Sequence, residues 1–147
     1  MKDKTIDYVL RTTWLSVQKM YNEEAAKFES TMATGFTLLS IDREKGTPST
    51  ALGPKMGMEA TSLSRILKTM EEKGLIERKP NPEDGRGVII SLTEFGLEKR
   101  TYSREKVLMF NEAIKNNISE EKLNNFYEVA EIINDMVSNK KIYNKNG

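Results

Sequence analysis

The sequence predicts a mainly α-helical fold with one small β-hairpin, a winged helix-turn-helix set between long terminal helices. Three observations predict it. Residues 71–93, EEKGLIERKPNPEDGRGVIISLT, pass from a helix end at Gly74 through a short strand (75–79), a polar loop (80–85) and a second strand (87–92) to Thr93, which can cap another helix. Just upstream, two short helical segments meet at Met56-Gly57-Met58, a tight turn of the helix-turn-helix kind. Both ends of the chain carry apolar residues spaced by three and four over long stretches.

Taken in order, residues 5–28 read as a helix with Ile6, Val9, Leu10, Val17, Met20 and Phe28 on one stripe, and Trp14 and Tyr21 beside it. Ser30 or Thr31 can cap a second helix over 32–45 carrying Phe36, Leu38, Leu39 and Ile41, closed by Gly46. Thr47-Pro48-Ser49 reads as a loop, and Ser49 or Thr50 as the cap of a short helix ending near Gly57. Pro54 inside it removes an amide donor, so a distorted or very short helix is expected. The helix over 59–73 is amphipathic. Leu63, Ile66, Leu67 and Met70 form its apolar face; Thr61, Ser62, Ser64, Arg65, Lys68 and Thr69 form the other. After the hairpin a long helix runs from Thr93 to about Asn116. Ser119 then caps a last helix with Leu123, Phe126, Tyr127, Ala130, Ile133 and Val137 in a stripe.

At 147 residues the chain is long enough for one domain with a real core. The reading is a single domain over 1–147, with a winged-helix lobe at 46–93 and dimerisation helices at 1–30 and 94–147. The terminal stripes lack enough core of their own, which favours packing on each other and on a second copy. No run of eighteen apolar residues exists and the first residues lack a signal-peptide core, so no membrane partner and a cytoplasmic location are expected.

Chemistry is narrowed by absence. The chain has no Cys and no His, hence no thiolate, no disulfide and neither the commonest metal ligand nor the commonest general base. No carboxylate cluster stands in for them, so no enzyme, no metal site and no cofactor are expected. Net charge is only +1. Residues 48–93 hold Lys55, Arg65, Lys68, Lys73, Arg78, Lys79 and Arg86 against Glu59, Glu71, Glu72, Glu77, Glu83 and Asp84. A case for double-stranded DNA as partner therefore rests on where those cations point rather than on bulk charge.

The run TSLSRILKTMEEKGLIER (61–78), followed by DGRGVIISLT (84–93) with Asp84, Arg86, Leu92 and Thr93 at their spacing, resembles the MarR family of winged-helix repressors. The likeness extends over nearly the whole chain. It implies a homodimer whose terminal helices interlock and whose two recognition helices read a palindromic operator. It also implies small, often phenolic or otherwise anionic, ligands near the junction of the dimerisation and DNA-binding parts. Gly53-Pro54 departs from the family pattern, and the lack of Cys disfavours a thiol-based peroxide sensor.

Individual residues then take expected roles. Thr61, Ser62, Ser64 and Arg65 face DNA from the recognition helix, since short hydroxyls donate to phosphates and Arg forks onto guanine. Ser49, Thr50, Lys55, Lys68 and Lys79 are further DNA contacts. A solvated face is the alternative for each. Arg86, just beyond the hairpin tip, suits a narrow minor groove. Asp84 and Gly85 are structural elements of the wing, the carboxylate accepting turn amides. Arg78 is a plausible phosphate contact, whereas Lys73 reads as favourable to a helix dipole. Trp14, Tyr21, Phe28, Met32 and Phe36 are candidates to line an effector pocket, with Arg11 pairing a small aromatic or anionic ligand. Ordinary core or interface packing is the competing reading of such aromatics. The rival to a DNA-binding regulator is a winged-helix protein-interaction module that has lost DNA binding.

Overall fold

The computed structural model describes residues 4–144, apart from the side chain of Arg86. The elements are α1 (Ile6–Ala26), α2 (Met32–Ser40), β1 (Thr47–Pro48), α3 (Ser49–Met56), α4 (Ala60–Glu72), β2 (Ile76–Asn81), β3 (Asp84–Leu92), α5 (Glu94–Asn117) and α6 (Glu120–Ser138). The chain divides after residue 105 into two compact units, and the boundary falls inside α5. Among the described residues no helix is long and apolar enough to cross a membrane.

Helix starts follow the expected capping chemistry. The hydroxyls of Thr5, Thr31 and Ser119 accept from the amides of Tyr8, Thr34 and Lys122, satisfying N–H groups that lack an intrahelical partner. Thr93 does the same for α5 through the Gly96 amide at 3.0 Å.

Three local expectations are corrected. First, α2 ends at Ser40, not 45. Ile41 turns extended (ψ 130°) and the Asp42 carboxylate accepts from the amides of Lys45 and Glu44 at 2.8 and 2.9 Å. Those bonds, from Lys45 first, hold the Asp42 carboxyl below the usual carboxylate range. An Asp side chain that takes its neighbours' amides offers the backbone a turn in place of the next helical turn. Gly46 consequently lies within that turn, at φ +73°, rather than closing the helix.

Second, Thr47-Pro48 is a strand, not a loop. It pairs antiparallel with β3, Thr47 opposite Ile90 and Pro48 opposite Ile89, giving a three-stranded sheet in the order β1-β3-β2. The buried Thr47 hydroxyl accepts the Asp42 amide at 2.8 Å, which ties the turn to the strand. Because Pro48 is held extended in that ladder, α3 begins directly at Ser49. Pro48 occupies the cap position with no side-chain bond, so Ser49 and Thr50 are the first helical residues instead of caps.

Third, the hairpin strands are longer than expected and the tip is only Pro82-Glu83. Asn81 forms the turn, its side-chain oxygen accepting the Glu83 amide at 3.0 Å. Pro80 pairs with Val88, but Asn81 pairs with Asp84. Residues 85–87 therefore bulge from β3 with nothing opposite on β2, a device that bends a strand and re-aims its side chains.

The core lies inside the first unit. Leu38, Ile41, Leu52, Leu63, Leu67, Met70, Leu75, Ile76 and Ile90 are buried together, with Met56, Met58, Ile66, Val88 and Leu92 packed around them. At about 1.5–3 kcal/mol for each fully buried large apolar side chain, this cluster is what holds α4 against the sheet. By contrast, neither α1 nor α6 contains a single buried residue. Ile6, Leu10, Trp14 and Leu15 on α1 are exposed, as are Phe126, Val129, Ile132 and Val137 on α6.

Candidate nucleic-acid interface

The interface is built on α3, its turn and α4. Gly57 adopts φ +64°, ψ +35° and ends α3 in the left-handed conformation, where a side chain would be strained. The turn is closed by the Met58 amide on the Gly53 carbonyl at 2.9 Å. Gly53, the departure noted in the sequence, is buried, and a Cβ there would sit 3.0 Å from the Met58 carbonyl oxygen. It is the close approach of the turn that the small residue permits. Pro54 lies within a regular eight-residue helix, exposed to solvent.

In α4, Leu63, Leu67 and Met70 are buried at 4, 3 and 0% exposure. Their burial turns Thr61, Ser62, Ser64, Arg65 and Lys68 outward, and all five are exposed. An open groove between α3 and α4 is lined by Ser49, Thr50 and Ser64 together with Glu59 and Arg78. The structure thus brings Ser49 and Thr50 of α3 and Ser64 of α4 to one surface, while Thr61 and Ser62 lie outside its lining.

The cations divide into two groups. Arg65 and Lys68 project from α4 and form no ion pair among the described residues. The others are already engaged. Lys55 donates to the Ser40 carbonyl at the end of α2, at 2.6 Å. Arg78 Nε lies 3.4 Å from Glu71 Oε2, and Lys79 Nζ 3.9 Å from Glu77 Oε2. Both pairs are exposed and such pairs are worth about 0–1 kcal/mol, so a phosphate can displace either carboxylate. Lys73, read from sequence as favourable to the dipole of its helix, caps the end of α4 and donates to the Glu29 carbonyl at 3.4 Å.

On the wing, Asp84 and Gly85 are exposed and Arg86 falls in the bulge of β3, its side chain lying outside the described residues. At Gly87 a Cβ would meet Asp84 Oδ2 at 3.3 Å and Asn81 Cβ at 3.4 Å. Asn81 is the wing residue that the sequence reading missed. An Asn-Pro pair between two apolar runs was the available signal.

The effector candidates are only partly assembled. Tyr21 and Phe36 meet edge to face at 5.5 Å, and burial pushes the Tyr21 hydroxyl's pKa up. Arg11 sits 5.9 Å over the ring of Tyr8, on the same helix, and Trp14 is 49% exposed. A second aromatic cluster was not foreseen: Phe28 packs on Tyr102 at 4.4 Å, and Lys99 lies over both Phe95 and Phe28. Residues on α5 are too far along the chain for periodicity to pair them with Phe28.

A buried-faced helix-turn-helix followed by a bulged hairpin defines a winged helix-turn-helix protein. Residues 31–88 of the chain match the MarR family. It is 29% identical over 90 residues to the HTH-type transcriptional regulator SarZ of Staphylococcus haemolyticus, covering 61% of each chain. It is 32% identical over 89 residues to the organic hydroperoxide resistance transcriptional regulator of Bacillus subtilis, covering 60% of each. The matched stretch thus spans about three fifths of the length of these two relatives. The fold is also that of Staphylococcus aureus MepR in a crystal structure of its DNA complex, with a TM-score of 0.79 at 20% identity over 93% of this chain and 99% of that one.

Proposed function

We propose that this protein is a DNA-binding transcriptional regulator. It acts in the cytoplasm as a homodimer and represses by occupying a palindromic operator. The observation that carries the reading is α4: one face is locked into the core while the other offers hydroxyls, Arg65 and Lys68. A helix so held keeps its base-reading side chains in register without help from the ligand. In the docking geometry of helix-turn-helix dimers, each α4 enters a major groove and half-sites lie about 10 bp apart. The bulge at 85–87 carries Arg86 toward the adjacent minor groove, where negative potential is highest. The regulator names of the relatives and the DNA complex of MepR support the same reading. Release by a small aromatic or anionic ligand near Tyr21 and Phe36 is part of the proposal.

One observation favours the rival of a protein-contact module. Glu71 and Glu77 partner Arg78 and Lys79 and keep the net charge near zero. Three substitutions separate the readings, measured on a duplex selected from a random pool and on a scrambled one. Arg65→Ala is expected to relax base preference, costing about 1–3 kcal/mol on the selected duplex alone. Arg86→Ala should weaken binding by a similar amount of about 1–3 kcal/mol and leave folding intact. Lys79→Ala should weaken both duplexes alike, as a phosphate contact does. Equal, small losses for all three on both duplexes would place the docking surface elsewhere.

A further inference from the structure

Just after α4, two successive backbone carbonyls are both taken up by one residue nineteen and eighteen positions further on. The Thr93 hydroxyl donates to the Gly74 carbonyl at 2.6 Å, and the Thr93 amide donates to the Leu75 carbonyl at 3.1 Å. The same hydroxyl accepts the Gly96 amide at 3.0 Å and so caps the first turn of α5. A hydroxyl has one proton and two lone pairs; here the proton is spent on the end of α4 and a lone pair on the start of α5. Gly96 closes the arrangement. It is buried, and a Cβ on it would run into the Leu75 carbonyl oxygen, so this first turn of α5 lies directly against the residue that follows α4. Neither helix start nor helix end needs this sharing for its own capping. An ordinary cap hydroxyl accepts an amide and is otherwise solvated.

We infer that Thr93 is a positioning residue, a clasp that fixes the angle between α4 and the first turns of α5 and thereby sets discrimination between operator and other DNA. It touches no DNA itself. The part of the inference that concerns discrimination rests on the DNA reading above; the clasp itself does not. All four residues lie in the first compact unit. If the clasp opens, α4 keeps its buried face, its charges and its phosphate contacts, but loses its fixed direction relative to α5. Base contacts demand close alignment whereas phosphate contacts tolerate misalignment.

The test uses the full chain with Thr93→Val, which keeps the shape and the amide but removes the hydroxyl, and Thr93→Ser, which restores it. In the free protein, spin labels are placed on cysteines introduced at Thr69 and Glu98, both exposed positions in a chain with no native Cys. The expected result is a broadened or shifted distance distribution for Thr93→Val and a native one for Thr93→Ser. On DNA, Thr93→Val should bind the selected duplex about tenfold more weakly, the scale of one lost base contact, with scrambled-duplex affinity unchanged. Thr93→Ser should recover the discrimination. An unchanged distance distribution in Thr93→Val overturns the clasp whether or not DNA binds. Equal losses on both duplexes, or a Thr93→Ser variant that behaves like Thr93→Val, overturn its role in discrimination. A wild-type protein that binds no duplex at low salt overturns the DNA reading and that role together, leaving the clasp to the distance measurement.

Discussion

Gly96→Ala is expected to lower the stability of the protein by about 3 kcal/mol, the upper end of what forcing an extra carbon into a packed site costs. Two effects oppose each other there. Ala is favoured over Gly in a helix by about 0.8–1 kcal/mol, so an unobstructed position would gain from the change. At Gly96 the added Cβ falls onto the Leu75 carbonyl oxygen, with the carbonyl carbon at 3.0 Å and Leu92 Cδ2 at 3.4 Å behind it. The obstacle is backbone, which cannot swing away as a side-chain tip can. Relief requires α5 to lift off Leu75, and that breaks the Thr93 bonds to Gly74 and Leu75 as well. Urea denaturation compared with Gly85→Ala, where nothing lies within 4 Å of the added carbon, measures the difference. Equal stabilities for the two variants would mean that α5 does not start where the structure has it.

The second large effect concerns assembly. Replacing Ile133 and Val137 together by Lys is expected to convert a dimer into a monomer. Along α6, Phe126, Tyr127 and Val137 are 58, 53 and 60% exposed, and no residue of the helix is buried. The stripe on α1 is likewise open, with Ile6 at 69% and Leu10 at 47%. Monomeric proteins rarely leave contiguous apolar surface on this scale; a second copy of the chain is the proposed cover. An ammonium trapped in such an interface costs several kcal/mol, and two per chain, repeated in the partner, outweigh what one stripe returns. Sedimentation at micromolar concentration reads the outcome directly. DNA affinity should fall in parallel, because two linked half-site contacts become independent ones. A folded wild-type monomer at that concentration would remove the basis for a palindromic operator.

The parts of this fold legible in the sequence are those decided by local chemistry. The capping hydroxyls of Thr31, Thr93 and Ser119, the left-handed turn at Gly57 and the inner face Leu63, Leu67 and Met70 follow from spacing and residue type alone. What was not legible depends on partners distant in the chain. Two residues, Thr47 and Pro48, are too few to show a period; their strand exists only because β3 lies beside them. The early end of α2 was set by Asp42 preferring two nearby amides, a competition that an apolar stripe does not register. For the candidate interface, the outward residues of α4 were readable, but not the engagement of its neighbours. That Lys55 is tied to Ser40, and Arg78 to Glu71, requires knowing which carbonyl and which carboxylate the fold delivers. Gly96, inside a helix, has its reason in a backbone carbonyl twenty-one positions earlier.

In the proposed reading, a nearly neutral chain binds DNA through a few cations on one surface. Binding of the selected duplex, followed by fluorescence anisotropy as salt is raised, tests it most directly. Each phosphate neutralised should contribute about −0.9 to the slope of log affinity against log salt concentration. Tight binding at low salt is expected, with a steep negative slope that becomes shallower by about one such step per chain in Lys79→Ala. No measurable affinity for any duplex at low salt, or an affinity indifferent to salt, would contradict it and leave a winged helix that serves protein contacts.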